Sequence, residues 1–190
     1  MATIEVHPLE AFLPENAKVL FLGSFPPPRA KWSMDFFYPN WINDFWRIQG
    51  LLHFGDKSYF EGQDKHFDKE KIVSFCNKEG IALFDTARKV CRLKDNADDN
   101  FLEIVEGTDV MALLEHLPRC RTIVTTGGKA SEELQLYLEK QGMTVKVPKV
   151  GECVEIRKAD EEYRWWRMPS TSRAYPMKLE KKAEFYRRLL

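Results

Sequence analysis

No run of about eighteen apolar residues occurs anywhere in this chain, so the sequence offers no membrane-spanning helix. Its start, MATIEVHPLEAFLPEN, lacks the basic-then-apolar order of a secretory leader, and a soluble, cytoplasmic protein is expected. Neither sign of charge is in excess: 29 Lys and Arg stand against 29 Asp and Glu. The net field therefore steers nothing, and any attraction for a polyanion has to come from where the charges sit. The four cysteines, Cys76, Cys91, Cys120 and Cys153, form no C-x-x-C pair, and His7, His53, His66 and His116 stand at no ligand spacing. No metal site and no cofactor are expected, and the thiols are read as free and mostly buried. The glycine pair in TTGGKAS lacks the spacing of a P-loop or of a dinucleotide fingerprint. Neither Ser24 nor Ser170 stands in Gly-x-Ser-x-Gly, which leaves a small-molecule hydrolase with little support.

What is present fits one domain over residues 1–190. Short apolar runs at Lys18–Gly23, Gly80–Asp85, Arg121–Gly127, Met143–Pro148 and Arg164–Ser170 read as buried strands, each closed by Gly, Asp, Pro or Ser. Between them, Asn43–Phe54, Asp68–Gly80, Asp109–Leu117 and Lys129–Gly142 carry apolar residues at helical spacing. Alternating strand and helix predict an α/β chain: a three-layer α/β/α sandwich around a mostly parallel sheet of about four to five strands. In such sheets ligands bind outside the carboxyl ends of the strands. That rule selects four segments as loops: Gly23–Asn43, Asp85–Asn100, Thr125–Ser131 and Met168–Pro176.

The first of these is crowded with rings: Phe25, Trp32, Phe36, Phe37, Tyr38 and Trp41, followed by Phe45 and Trp46. Phe45 and Trp46 suit the core, and Tyr38 or Phe37 suits stacking on a flat ligand such as a base. Asn40, Asn43 and Asp44 have a plain alternative role, capping the helix that follows. In the last loop Ser170, Thr171 and Ser172 offer small hydroxyls beside Arg173, ahead of a basic C-terminal helix, which is a donor set suited to phosphates. An ordinary strand-to-helix turn also explains that loop. Gly127 and Gly128, next to Lys129, serve equally as an anion turn or as a tight packing turn.

Taken in order, LFLGSFPP, FFYPNWINDFW, GIALFDTARKVCRLKDNADDNF, IVTTGGKA and MPSTSRAYP resemble the motif series of the uracil-DNA glycosylase superfamily. The series is most similar to the hypoxanthine-DNA (deoxyinosine) glycosylase branch and spans Val19 to about Pro176. The resemblance implies a monofunctional, metal-free enzyme that flips a deaminated base, hypoxanthine or uracil, out of DNA and leaves an abasic site. It implies a monomer whose partner is DNA, with no role for a membrane. Asn43, three residues before Trp46, is the implied water-holding residue, with Asn40 and Asp85 as alternatives. Gly23, Ser24, Phe25, Tyr38, Phe37 and Thr126 are the implied base-binding set. Met168, Ser170, Thr171, Ser172, Arg173 and Lys129 are the implied DNA contacts, with Met168 or Arg173 entering the duplex.

The chain departs from the family at several of these positions. Phe25 stands where the mismatch-specific uracil branch has asparagine; Asn-Trp-Ile replaces the His-Pro before Asn43; Thr126 replaces the asparagine of Asn-Gly; Arg173 replaces a proline. The other reading that fits these departures is a catalytically impaired protein of the same fold that binds lesions or single strands.

Overall fold

The computed structural model describes residues 3–94 and 98–190. In chain order its elements are β1 (Ile4–Val6), β2 (Val19–Gly23), α1 (Phe45–Phe54), α2 (Lys69–Glu79), β3 (Ile81–Asp85), β4 (Ala87–Arg92) and β5 (Leu102–Gly107). These are followed by α3 (Val110–Glu115), β6 (Thr122–Thr126), α4 (Gly128–Lys140), β7 (Cys153–Lys158), β8 (Glu161–Met168) and α5 (Leu179–Tyr186). The main sheet runs β3-β2-β6-β8-β7. Its first four strands are parallel, and β7 closes one edge antiparallel to β8. This is the mostly parallel, helix-flanked sheet that the alternating pattern predicts. Every residue of β3 is buried, as expected for a strand covered on both faces, whereas edge strand β7 buries only Ile156 fully. No described helix is long and apolar enough to cross a membrane.

Parallel pairing sets the site. Because β2 and β3 run in register from Val19↔Ile81 to Gly23↔Asp85, both end at the same level. Strand β6 ends beside them and pairs Thr126 with Met168 at the end of β8. The segments that follow β2, β3, β6 and β8 therefore leave the sheet on one side.

Two sequence expectations are corrected. The stretch Met143–Pro148 is not a strand, although Val145 and Val147 do pack on the core. The carbonyl of Val145 accepts the Gln135 side-chain amide at 3.0 Å, a bond that stands in place of a ladder partner. The fifth strand is β7, part of a hairpin with β8. The second predicted loop, Asp85–Asn100, contains β4, the centre of a small antiparallel sheet ordered β1-β4-β5. Only Ala87 and Val90 of β4 are fully buried, and they join Phe25 and Leu102 in a small separate cluster. Its charged, half-exposed pattern explains why it reads as a loop. Asp95, Asn96 and Ala97 of the same stretch lie outside the described residues.

The thiols are free among the described residues. Cys76 and Cys120 are buried, and burial pushes the Cys120 thiol up to about 11, while Cys153 is exposed.

Candidate active site

A cavity of about 930 Å³ lies over the carboxyl ends of β2, β3 and β6 and is closed by the loop that follows β8. It gathers Gly23, Ser24 and Phe25 from the first motif, Asn40 and Asn43 from the aromatic segment, Asp85 from β3 and Thr126 from β6. Lys129 and the stretch from Ser170 to Arg173 complete its opposite side. Residues as far as 150 positions apart in the sequence thus share one hollow.

Asp85 is the most tightly framed of them. Its Oδ2 accepts a hydrogen bond from His7 Nε2 at 2.7 Å, and both side chains are nearly buried. The other ring nitrogen of His7 lies 3.1 Å from the Leu9 N–H and 3.0 Å from the Leu9 carbonyl, so it keeps a main-chain partner whichever way it is protonated. The fold delivers His7 through strand pairing. Val6 pairs with Lys89, and the His7 N–H continues the ladder to the Arg88 carbonyl at 2.8 Å. Asp85 Oδ1 lies directly over Gly23, where a β-carbon would approach it to 2.5 Å. Gly23 is required here by that close approach, since any side chain displaces the carboxylate.

Ser24 donates to Asp99 Oδ1 at 2.7 Å, which ties the first motif to the turn after β4. Asp99 also borders the cavity. Burial pushes its carboxyl above the usual carboxylate range. The Ser24 bond acts in the opposite sense, the charges of Asp85 and Asp98 push it further up, and Lys129 pulls it down.

Asn43 and Asn40 both reach the cavity. Each also makes a local turn: Asn43 Oδ1 accepts the Phe45 N–H at 2.9 Å, and Asn40 Oδ1 accepts the Ile42 N–H at 3.2 Å. Asn43 is therefore fixed rather than loose, and its carboxamide oxygen keeps one lone pair. Asp44 occupies the N-cap position of α1 without making a side-chain cap bond. Its carboxylate instead holds Lys182 Nζ at 3.1 Å and Arg173 Nε at 3.2 Å. Lys182 is fully buried and donates to the Ser172 carbonyl at 2.8 Å, while the Asp44 N–H donates to the Thr171 carbonyl at 2.8 Å. A buried ion pair thus locks the head of α1, which carries Asn43, onto the hydroxyl loop. From below, Arg47 grips the carbonyls of Trp41 at 2.6 Å and Asn43 at 3.0 Å and pairs with Glu61.

Most of the aromatic segment packs inward. Phe25, Phe36, Phe37, Phe45 and Trp46 are buried, as expected for Phe45 and Trp46, while Phe37, one of the two rings suited to stacking, belongs with the packing rings. Phe37 sits among His7, Phe36 and Phe84 and presents little surface to the cavity. Tyr38 is half-buried, with one face stacked on Phe45 at 3.9 Å and its hydroxyl 2.9 Å from Thr126 Oγ1. Its φ of +50° is a conformation that non-glycine residues rarely adopt, which marks it as a constrained position at the cavity's edge.

The hydroxyl loop lies across the cavity. Ser170 Oγ accepts the Ser172 N–H and Ser172 Oγ accepts the Ala174 N–H, each at 3.2 Å, and Thr171 is buried. Arg173 is exposed. Gly127, at φ +104°, turns the chain into α4 with its α-carbon pressed toward Ser170, where a β-carbon would come to 3.3 Å. The glycine pair is thus a packing turn, and Lys129, one residue further on, pairs with Glu133 at 3.6 Å. Met168, expected to enter a duplex, is corrected: it is fully buried at the end of β8 and belongs to the core. Its apolar neighbours inside the sheet hold it there. His7 and Asp99 are the two site residues that the sequence does not single out. The pairing of β1 with β4 places His7 behind Asp85, and the turn before β5 brings Asp99 to the cavity.

No protein-family profile matches this chain, and no curated protein matches it. Its fold has been solved before. A solution NMR structure of a "putative Uracil DNA glycosylase" from Methanosarcina acetivorans superposes with a TM-score of 0.63 at 24% sequence identity, over 98% of this chain and 99% of that one. A likeness at that identity establishes the shared fold from end to end.

Proposed function

We propose that this chain is a monofunctional DNA glycosylase of base-excision repair that removes a deaminated base. The observation that carries the reading is convergence: the first motif, Asn43, Asp85, Thr126 and the Ser170–Arg173 loop line a single cavity at the carboxyl end of the sheet. A duplex base cannot be reached in the stack, so the target is rotated into this hollow while the hydroxyl loop and Arg173 hold the backbone.

Asp85 is the pocket's base reader. Uracil and hypoxanthine each present a ring N–H next to a carbonyl, and a carboxylate accepts that hydrogen. The ring lone pairs that cytosine and adenine show at the same place are repelled, so parent bases bind poorly. His7 orients the carboxylate toward the cavity. Asn43 holds the attacking water with its remaining lone pair. The sugar–base bond breaks through an oxocarbenium-like state, so a positioned water needs little activation and an amide suffices. No lysine nucleophile is called for, and the product is an abasic site in an unbroken strand.

The test uses labelled duplexes with one deoxyuridine or one deoxyinosine, incubated with the protein and then treated with hot alkali. Strand cutting that requires alkali, and that disappears in Asn43→Ala, is the expected result. Cutting without alkali overturns the monofunctional assignment. Tight binding with no cutting overturns the enzyme and leaves a lesion-binding protein.

A further inference from the structure

We propose that Asp99 is a second catalytic carboxyl group, a general acid that protonates the leaving base at a ring nitrogen that a purine offers and uracil lacks. The inference rests on the glycosylase reading above and adds an acid to that site.

Two carboxyl groups border the cavity from neighbouring points of the first motif. Asp85 lies over Gly23, and Asp99 is bonded to Ser24, the very next residue. Their partners differ. Asp85 has the ring of His7 against its Oδ2 at 2.7 Å. Asp99 has only the Ser24 hydroxyl, on Oδ1, and its Oδ2 makes no hydrogen bond among the described residues. The groups that face Asp99 are Ser24 from the turn after β2, Asp85 from the end of β3 with His7 behind it, Asp98 on its own turn, and Lys129 at the start of α4. Burial with two negative neighbours outweighs the serine and the lysine, so the proton is retained to higher pH than in an ordinary carboxyl. A carboxyl that holds its proton, set beside a second carboxyl already engaged as an acceptor, is the arrangement that divides acid from acceptor duties.

The chemistry selects purines. Hypoxanthine linked through N9 keeps a lone pair on N7, on one side of the carbonyl, while the N1–H that Asp85 accepts lies on the other side. Uracil linked through N1 has no ring nitrogen with a free lone pair. With hypoxanthine bound, Asp99 gives its proton to N7, and the N9–C1′ bond breaks with its electron pair going to the base, which leaves as neutral hypoxanthine. The water held by Asn43 adds to C1′ and sheds one proton to solvent through the open mouth. Asp99, now a carboxylate, takes a proton back from water. The sum is base plus abasic sugar from nucleotide plus water. For uracil the same pocket supplies orientation and water but no acid.

Single-turnover base release is measured from duplexes holding deoxyinosine, 7-deaza-deoxyinosine or deoxyuridine, over pH 5 to 9, with wild type, Asp99→Asn and Ser24→Ala. General acid assistance is worth about 10²- to 10⁴-fold. Asp99→Asn is therefore expected to slow hypoxanthine release by about 100-fold or more while changing any uracil release by less than about threefold. Wild-type hypoxanthine release is expected to fall on the alkaline side. That limb is absent in Asp99→Asn and moves to higher pH in Ser24→Ala, because the serine bond is what lowers the acid's proton affinity. The 7-deaza substrate is expected to be inert.

Equal losses on both natural substrates in Asp99→Asn, an unmoved alkaline limb in Ser24→Ala, or wild-type release of uracil alone overturns the acid role and leaves the glycosylase standing. Release of no base from any duplex by folded wild-type protein overturns the glycosylase reading and Asp99 with it.

Discussion

The two walls of the cavity are built from opposite materials. One wall consists of the first motif, the end of β3 and the turn after β4, and it presents the carboxyl groups of Asp85, Asp98 and Asp99. The other consists of the start of α4 and the loop after β8, and it presents hydroxyls, Lys129 and Arg173, with Glu132 as its one acidic lining residue. Their anchors differ in the same way. The acidic wall is held by side chains that aim a carboxyl inward, His7 on Asp85 and Ser24 on Asp99. On the basic wall a carboxylate, Asp44, sits behind the loop and neutralises Lys182 and Arg173 from the rear. The first arrangement suits reading and protonating a base; the second suits holding a phosphate backbone. The lesson is that zero net charge says little about a chain whose cations and carboxyls are unevenly placed, since attraction for a polyanion depends on local placement.

The contrast is broken most severely at its acidic side. Asp85→Ala removes the group that reads the base, and base release is expected to fall by about 10³-fold, with DNA affinity nearly unchanged. Gly23→Ala is expected to approach that loss without altering any polar side chain, because the new β-carbon would stand 2.5 Å from Asp85 Oδ1 and displace it. Single-turnover kinetics on both proteins checks this pair.

The next effect falls on the join between the walls. Lys182→Met leaves Asp44 buried with half its partners, and breaking such a pair costs about 3–5 kcal/mol of stability. Urea unfolding of wild type and variant reads this directly. Arg173→Ala acts on the basic wall alone. It is expected to weaken DNA binding severalfold for every sequence and lesion, and to reduce the salt dependence of binding by about one counterion.

The smallest effect sharpens the acidic wall through its stability. The raised proton affinity of Asp99 means that the folded chain carries an ionisation penalty once pH is above the ordinary carboxyl range. Below that range Asp99 is protonated in both folded and unfolded chains and the penalty vanishes. Asp99→Asn is therefore expected to raise Tm modestly at pH 7 and not at pH 3, while impairing hypoxanthine release. Calorimetry at the two pH values measures it.

The walls also differ in how far the sequence reveals them. Gly23, Asp85, Thr126 and Ser170 follow strands whose apolar runs are unmistakable, and the rule that ligands sit at the carboxyl ends of parallel strands brings them together. The small sheet that supplies His7 and shapes the Asp99 turn is not legible. β1 is three residues long and β4 alternates charge with apolar residues, and neither gives a pattern that separates a short strand from a loop. Which ring of the aromatic segment faces the cavity is not legible, because a loop without regular structure gives no periodicity to sort Tyr38 from Phe37. The structure makes that loop a layer of the core, with Phe36, Phe37 and Trp46 packed together. Met168 misleads for a related reason: it stands beside a functional loop, yet it is the last residue of a buried strand.

The measurement that tests the division of labour most directly is steady-state excision of hypoxanthine from a duplex by wild type, Asp85→Ala and Arg173→Ala at two salt concentrations. The walls as assigned predict that Asp85→Ala lowers kcat with KM nearly unchanged, and that Arg173→Ala raises KM with kcat intact and flattens the salt dependence. Both variants changing the same parameter, or no release by wild type from either a hypoxanthine or a uracil duplex, would contradict it.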